Sequence, residues 1–476
     1  MKDEERITRL VYLSRIILIV LQFFANQVIP DHDAKVFQYP AEQNKTQYDN
    51  VINYFLGGFV RWDAQYFMHI AKYGYTYENT LAFFPLYPVS VGSIADLICD
   101  VIGRQYVDSV LILTYILVNI YIFKHAALCL YKLTEILFDK KTAYDSAVVY
   151  CFNPASVFFI APYTECLFSF LTFQSILNCL TLYEKYSKPD NKFVVKDLLL
   201  ILPIALSTAT RSNGVLNIGF LIYTFICLKL NNSKKKKQSI LQGLYTALRY
   251  GFAIIMTTVD CLLPFILYQY YCYLRFCQTF PVNLPGVILE HARQNKFILP
   301  GSYKKNQQKW CKKTIPLAYS YVQDQYWNVG FMKYYEFKQL PNFLLALPIL
   351  CIISFCSFKH LFTNLFKRNL FSNLFTMGNS IKANKAKAGL YQPKLTVFYI
   401  HALFLSIFCT FFIHVQVSTR ILCSASPVFY WICSKHLNLL RLPSKSDSLR
   451  ELFLRTYVVS YFIAGTMLFC NFLPWT

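Results

Sequence analysis

The densest set of chemically capable side chains in this 476-residue chain is Arg61-Trp62-Asp63-Ala64-Gln65-Tyr66-Phe67, followed by Tyr73-Gly74-Tyr75, Glu78 and Ala82-Phe83-Phe84-Pro85-Leu86-Tyr87-Pro88. Aromatic rings in such number suit the belt where a membrane meets water, and that reading covers most of them. It leaves Asp63 unexplained. A carboxylate among rings can take the proton of an acceptor hydroxyl held within hydrogen-bond reach. On residue type alone, a structural ion pair with Arg61 is the stronger expectation for Asp63.

Three further clusters interrupt apolar stretches. Asn153-Pro154 with Pro162-Tyr163-Thr164-Glu165 sets a carboxylate between two apolar segments, where an ionisable group is a functional candidate by default. A capping role for Glu165, or a pair with Arg211, carries equal weight. Arg211-Ser212-Asn213-Gly214 divides the stretch from Leu198 to Leu230. A guanidinium there suits a phosphate, because it offers a planar fork of donors and never loses its charge; a polar inter-helix turn explains the same residues equally well. In His414-Val415-Gln416-Val417-Ser418-Thr419-Arg420, His414 and Arg420 could bracket a phosphate leaving group, although a lone histidine at a helix end is more often structural. There is no HExxH, P-loop or Cys/His set, so no metal, no cofactor and no ATP-driven transport is expected. Asp31-His32-Asp33 resembles a metal triplet but reads better as the start of a solvated loop.

The scaffold that positions these groups must be a membrane one. Apolar residues make up 55% of the chain and charged ones 15%, well under the roughly 25% of soluble domains. They come in long runs such as Ile7 to Ile29, Val110 to Leu130 and Tyr457 to Leu473. Hydrocarbon offers no partner to a bare peptide group, so such runs must be helical. An all-α polytopic membrane protein follows, as one domain over residues 1–476. Candidate spans cover about 8–29, 84–103, 107–130, 143–160, 164–184, 197–211, 213–230, 244–275, 341–358, 396–416, 418–437 and 456–473, which makes 11–12 transmembrane or re-entrant helices. Pro154, Pro162, Pro203, Pro264 and Pro348 should kink or interrupt theirs, as a membrane tolerates beside a wet cavity.

The net charge of +22 would suggest nucleic acid in a soluble protein. Here the bases lie in loops, in the run Lys234 to Lys237 and across residues 359–395, which marks those loops as cytoplasmic. The first span, following Lys2, Arg6 and Arg9, reads as a retained anchor. It puts the acid-leaning loop 30–83, with its sequon Asn44-Lys45-Thr46, in the lumen. The loop 276–340 should also be lumenal. Parity closes only if one segment between 84 and 160 does not cross. The 16 cysteines contain no CxxC and sit mostly in apolar runs, as small core residues rather than a disulfide or metal framework.

Taken together, Trp62-Asp63-Ala64, Tyr77-Glu78 with Ala82-Phe83-Phe84-Pro85, Asn153-Pro154-Ala155, Tyr163-Thr164-Glu165, Thr210-Arg211-Ser212-Asn213-Gly214 and His414-Val415-Gln416-Val417 with Thr419-Arg420 resemble the GPI mannosyltransferase 2, or PIG-V, family. Trp327-Asn328-Val329-Gly330-Phe331, Tyr334-Tyr335-Glu336 and Pro341 to Ala346 are similar to its last lumenal loop. The resemblance runs in order through nearly the whole chain. It implies a GT-C-type enzyme of the endoplasmic reticulum with a lumenal site, carrying mannose from dolichyl phosphate mannose to the mannosyl-GPI precursor as the second, α1,6-linked sugar. It also allows a small membrane accessory subunit. On this resemblance Asp63 is the expected base, Arg211 and Arg420 phosphate ligands, and Glu165, Glu78, His414, Trp62, Asn213 and Gln416 further substrate contacts. The rival readings are another dolichyl-phosphate-sugar transferase and, from a different class, a secondary transporter.

Overall fold

The computed structural model describes residues 2–40, 45–187, 197–235, 239–278, 283–301, 309–366, 389–444 and 446–475, and among these it is helical with no strand. The first helices are α1 (Asp3–Val28), α2 (Gln47–Leu56), α3 (Ala64–Tyr73), α4 (Leu86–Ile102), α5 (Val107–Leu137) and α6 (Lys140–Cys151). There follow α7 (Glu165–Tyr186), α8 (Leu198–Thr210), α9 (Ile218–Lys235), α10 (Ile240–Cys277), α11 (Gly286–Asn295) and α12 (Ala318–Trp327). The last are α13 (Leu340–Leu361), α14 (Thr396–Phe411), α15 (Ser418–Ala425), α16 (Val428–His436) and α17 (Leu449–Cys470). Eight stretches, built on α1, α5, α7, α9, α10, α13, α14 and α17, are long and apolar enough to cross a bilayer.

The first helix shows how a membrane helix of this kind is written. Ile7, Val11, Ser14, Arg15, Leu18, Gln22 and Ala25 recur at helical spacing and are buried, while Tyr12, Leu13, Ile16, Val20 and Phe24 on the other faces stay exposed. Lipid accepts the outer apolar face, so the inner stripe is free to carry polar groups. Arg15 uses that freedom. Its guanidinium lies 3.9 Å from the Phe123 ring centroid and donates to the carbonyls of Cys151 at 2.9 Å and Ser156 at 3.3 Å. Those are carbonyls freed where α6 stops before Pro154. Asn119 likewise donates to the Ala161 carbonyl at 2.6 Å. The break between α6 and α7 is therefore sheltered by protein, as backbone at membrane depth requires.

Contacts between helix ends sort them onto two faces. At the face where the chain starts, Tyr131 of α5 donates to Asp3 at 3.4 Å, and Lys435 of α16 lies 3.4 Å from Asp139. At the far face, the Ser109 N–H at the start of α5 donates to Asp49 of α2 at 3.2 Å. The helix α4 runs antiparallel to the first half of α5: Tyr87 at its start donates to Asn119 at 2.6 Å, and Gly103, with φ of 113°, turns its end straight into α5. Asn119 is about 18 Å along α5 from Val107 at helical rise. Both ends of α4 thus lie along the first half of α5, and α4, at 17 residues, is not among the eight stretches long and apolar enough to cross. A shorter apolar helix, α8, lies beside them. Pro203, Pro264 and Pro348 lie inside α8, α10 and α13, whereas Pro154 and Pro162 interrupt.

Residues 236–238 of the lysine run, 367–388 of the basic loop and Asn44 of the sequon lie outside the described residues. On the far face, α11, α12 and a turn carrying Trp310 form a layer over the bundle, tied to α10 by a disulfide between Cys277 and Cys311. That pair corrects the expectation for the cysteines. Of the other fourteen, twelve are buried singly in the helical core.

Candidate active site

The far-face junctions α6–α7, α8–α9 and α14–α15 converge on Asp63, the residue before α3. Trp62 just ahead of it has φ of 57°, a left-handed backbone that a bulky residue adopts only when its surroundings impose it. The imposing contact is visible. The Asp63 N–H donates to the Tyr163 hydroxyl at 3.0 Å, from the α6–α7 junction. The Asp63 carboxylate accepts from Arg420 Nη2 through Oδ2 at 2.8 Å, and its Oδ1 has no partner among the described residues.

Arg420 lies in the first turn of α15 with its guanidinium 5.3 Å from the Tyr163 ring and 5.4 Å from that of Phe158. Its Nε is 3.7 Å from Glu165 Oε1, and the same oxygen takes Arg211 Nη1. Arg211, which ends α8 in extended conformation, also donates to Thr164 at 3.2 Å. Asp63, Arg420, Glu165 and Arg211 thus form one alternating chain of two carboxylates and two guanidiniums. Glu165 is 0% exposed, whereas the two arginine side chains are 11% and 17% exposed. Glu165 is in consequence the buried member that spaces the cations, and the cations are the more exposed members. Trp62 Nε1, Asn213 Nδ2, Arg420 Nε and Glu165 Oε2 are buried without a hydrogen-bond partner. Orphaned polar atoms in such a cluster suit polar groups that arrive with a ligand.

Other expected residues are placed differently. Arg61 does not pair with Asp63: it lies 3.0 Å from Asp31 and donates to Asn26 and to the carbonyls of Gly57 and Cys470, tethering the loop to α1 and α17. Asp31 is thereby a partner of Arg61 rather than part of a free loop start, and the His32 N–H donates to the Asn471 carbonyl at 3.0 Å. His414 Nε2 is 2.6 Å from the Trp327 carbonyl and its ring stacks on Tyr334 at 4.6 Å. Burial lowers its pKa. Gln416 accepts from the Tyr334 hydroxyl at 3.0 Å. Glu78 is fully buried, with Trp310 Nε1 donating to one oxygen at 3.0 Å and the Tyr326 hydroxyl to the other at 2.8 Å. Burial nevertheless raises its pKa. Sequence reasoning missed Trp310, Tyr326 and the disulfide. A signal existed: Trp310-Cys311 stands among lysines, where an apolar pair has no reason to be unless the loop folds.

The comparisons bear on what this cluster does. A family model described as mannosyltransferase (PIG-V) matches residues 3–476. This chain belongs to the PIG-V mannosyltransferase family. GPI mannosyltransferase 2 of Drosophila melanogaster is 36% identical, over 99% of this chain and 100% of its own. GPI alpha-1,6-mannosyltransferase 2 of Homo sapiens is 30% identical, over 100% and 99%. Among solved structures, the apo oligosaccharyltransferase of Archaeoglobus fulgidus superposes with a TM-score of 0.41 at 11% identity, covering 98% of this chain and 56% of that one. PIG-V membership makes the protein a membrane-embedded glycosyltransferase of GPI assembly and removes the transporter reading.

Proposed function

We propose that this GPI mannosyltransferase adds the second mannose, α1,6-linked, to the one-mannose GPI precursor, taking it from dolichyl phosphate mannose at the lumenal face of the endoplasmic reticulum. The observation that carries the reading is the Asp63–Arg420–Glu165–Arg211 chain, in which one carboxylate oxygen stands open beside two immobilised guanidiniums. In a single displacement the acceptor 6-hydroxyl oxygen bonds to the mannosyl C1, and the C1–O bond to the dolichyl phosphate breaks. The hydroxyl proton goes to Asp63 Oδ1, and the phosphate leaves with its new charge against Arg420 and Arg211. A preorganised cation pair stabilises charge as it develops without reorganising, and one inversion turns a β-linked donor into an α product.

The site shares its face with the Cys277–Cys311 disulfide, which suits an oxidising lumen. The test is Asp63→Asn in cells lacking the endogenous enzyme. Loss of surface GPI-anchored proteins, with a one-mannose GPI lipid accumulating at matched expression, is the expected result. Wild-type levels would remove Asp63 from the base role.

A further inference from the structure

Tyr66 stands three residues after Asp63, one turn on along the same side of α3. Its ring is sandwiched between Phe37 at 4.1 Å and Phe83 at 4.5 Å and meets the ring of Trp327, the last residue of α12, at 5.7 Å. Trp327 also meets Phe83 edge-on at 5.9 Å, is half-buried, and keeps its indole N–H without a partner among the described residues. Asn79, which is bonded to the Tyr66 hydroxyl and almost wholly buried, leaves its Oδ1 unpartnered. Trp327 has only tilted and edge contacts with its neighbours, so an indole face is left unstacked at the edge of this aromatic group.

The means of holding Trp327 there is equally specific. Glu78 binds Trp310 and Tyr326, two residues near opposite ends of the far-face layer, and Tyr326 immediately precedes Trp327. The Cys277–Cys311 disulfide fixes the Trp310 end to α10. The Trp327 carbonyl accepts from His414, at the start of the segment that delivers Arg420. Trp327 is thereby located relative to both Asp63 and the cations.

The geometry points to Trp327 as the platform for the acceptor sugar, a neutral hexopyranose whose C–H face lies on the indole and whose hydroxyl is presented to Asp63, with the Tyr66–Phe83 stack backing the indole and Glu78 as the residue that positions it. The charge pattern decides acceptor over donor. The donor's phosphate needs the guanidiniums, whereas the rings carry no charge and Tyr66, which meets Trp327, stands one turn from the carboxylate that receives the acceptor's proton. This rests on the mannosyltransferase reading and adds the subsite for its second substrate.

The experiment uses full-length enzyme in microsomes from cells lacking the endogenous one, with dolichyl phosphate mannose and the one-mannose GPI lipid varied separately. For Trp327→Ala the acceptor KM rises about tenfold while the donor KM stays within about twofold. Trp327→Phe restores most of the difference, because a ring remains. Tyr326→Phe, which keeps the ring and removes only the bond to Glu78, raises the acceptor KM about threefold. A rise in donor KM as large as that in acceptor KM, or an unchanged acceptor KM in Trp327→Ala at matched expression, overturns the platform and leaves the mannosyltransferase reading intact. No transfer by wild-type enzyme to the one-mannose lipid overturns that reading and the platform with it.

Discussion

Asp63 and Glu78 belong to the same inter-helix segment, and the molecule treats the two carboxylates in opposite ways. Asp63 is partly exposed, follows a strained residue, and has one oxygen held by a cation and the other open. Glu78 is sealed, with both oxygens taken by neutral donors that cannot leave without dismantling the layer above. One environment is built to be completed by a ligand and the other is complete already. Both are carboxylates of one inter-helix segment, so it is their neighbours that set them apart.

Removing the charge at each position breaks the comparison most sharply. Asp63→Asn should reduce mannosyl transfer about 10²- to 10⁴-fold, the scale of general-base catalysis. Glu78→Gln should stay within about threefold, because the amide oxygen still accepts from Trp310 and the amide N–H can donate to the Tyr326 hydroxyl oxygen. Equal losses in the same microsomal assay would show that Asp63 is merely structural or that Glu78 touches substrate. Next in size is Glu165→Ala, which leaves Arg420 and Arg211 facing each other without their buried counter-charge. A loss of about 3–5 kcal/mol is expected, read as thermal stability in detergent alongside wild type. Tyr163→Phe keeps the ring beneath Arg420 and deletes only the oxygen that accepts the Asp63 N–H. It should lower kcat about tenfold with both KM values unchanged, since the acceptor and donor contacts remain.

The smallest effect concerns pH in the aromatic layer. Burial pushes His69 down to about 3, and its Nε2 lies 2.7 Å from the Thr76 hydroxyl. The folded ring stays neutral where the unfolded one, near 6.5, takes a proton, so the unfolded state binds more protons between those values. The stabilisation is complete above 6.5 and is lost as pH falls toward 3. Melting curves at pH 7.5 and 5 should therefore diverge more for wild type than for His69→Gln; an identical pH dependence would discount His69.

Much of the site was legible because its chemistry needs residues that apolar helices otherwise exclude. Glu165, Arg211 and Arg420 stand out of their surroundings in the sequence, and the Glu165–Arg211 pair was among the alternatives that residue type allowed. The partner of Asp63 was not legible. Arg61 is two residues away and Arg420 is 357 away in sequence, yet Arg61 is spent on Asp31 and on two carbonyls. Sequence proximity misled because the left-handed turn at Trp62 points successive side chains apart. The partners of Glu78 and His414 were not legible either, because Trp310, Tyr326 and Trp327 lie far along the chain from them.

What the sequence determined by itself was the class of molecule and the polar groups that interrupt its apolar runs. Hydrocarbon leaves a long apolar run no choice but a helix, and a charge inside one no excuse but a function or a partner. Only the tertiary structure decided which charge met which and how α4 lies against α5. Those outcomes depend on Arg15 sheltering the carbonyls of a broken helix, on Gly103 returning α4 against α5, and on a disulfide closing a loop. Each is a contact between distant parts of the chain, which no local pattern encodes.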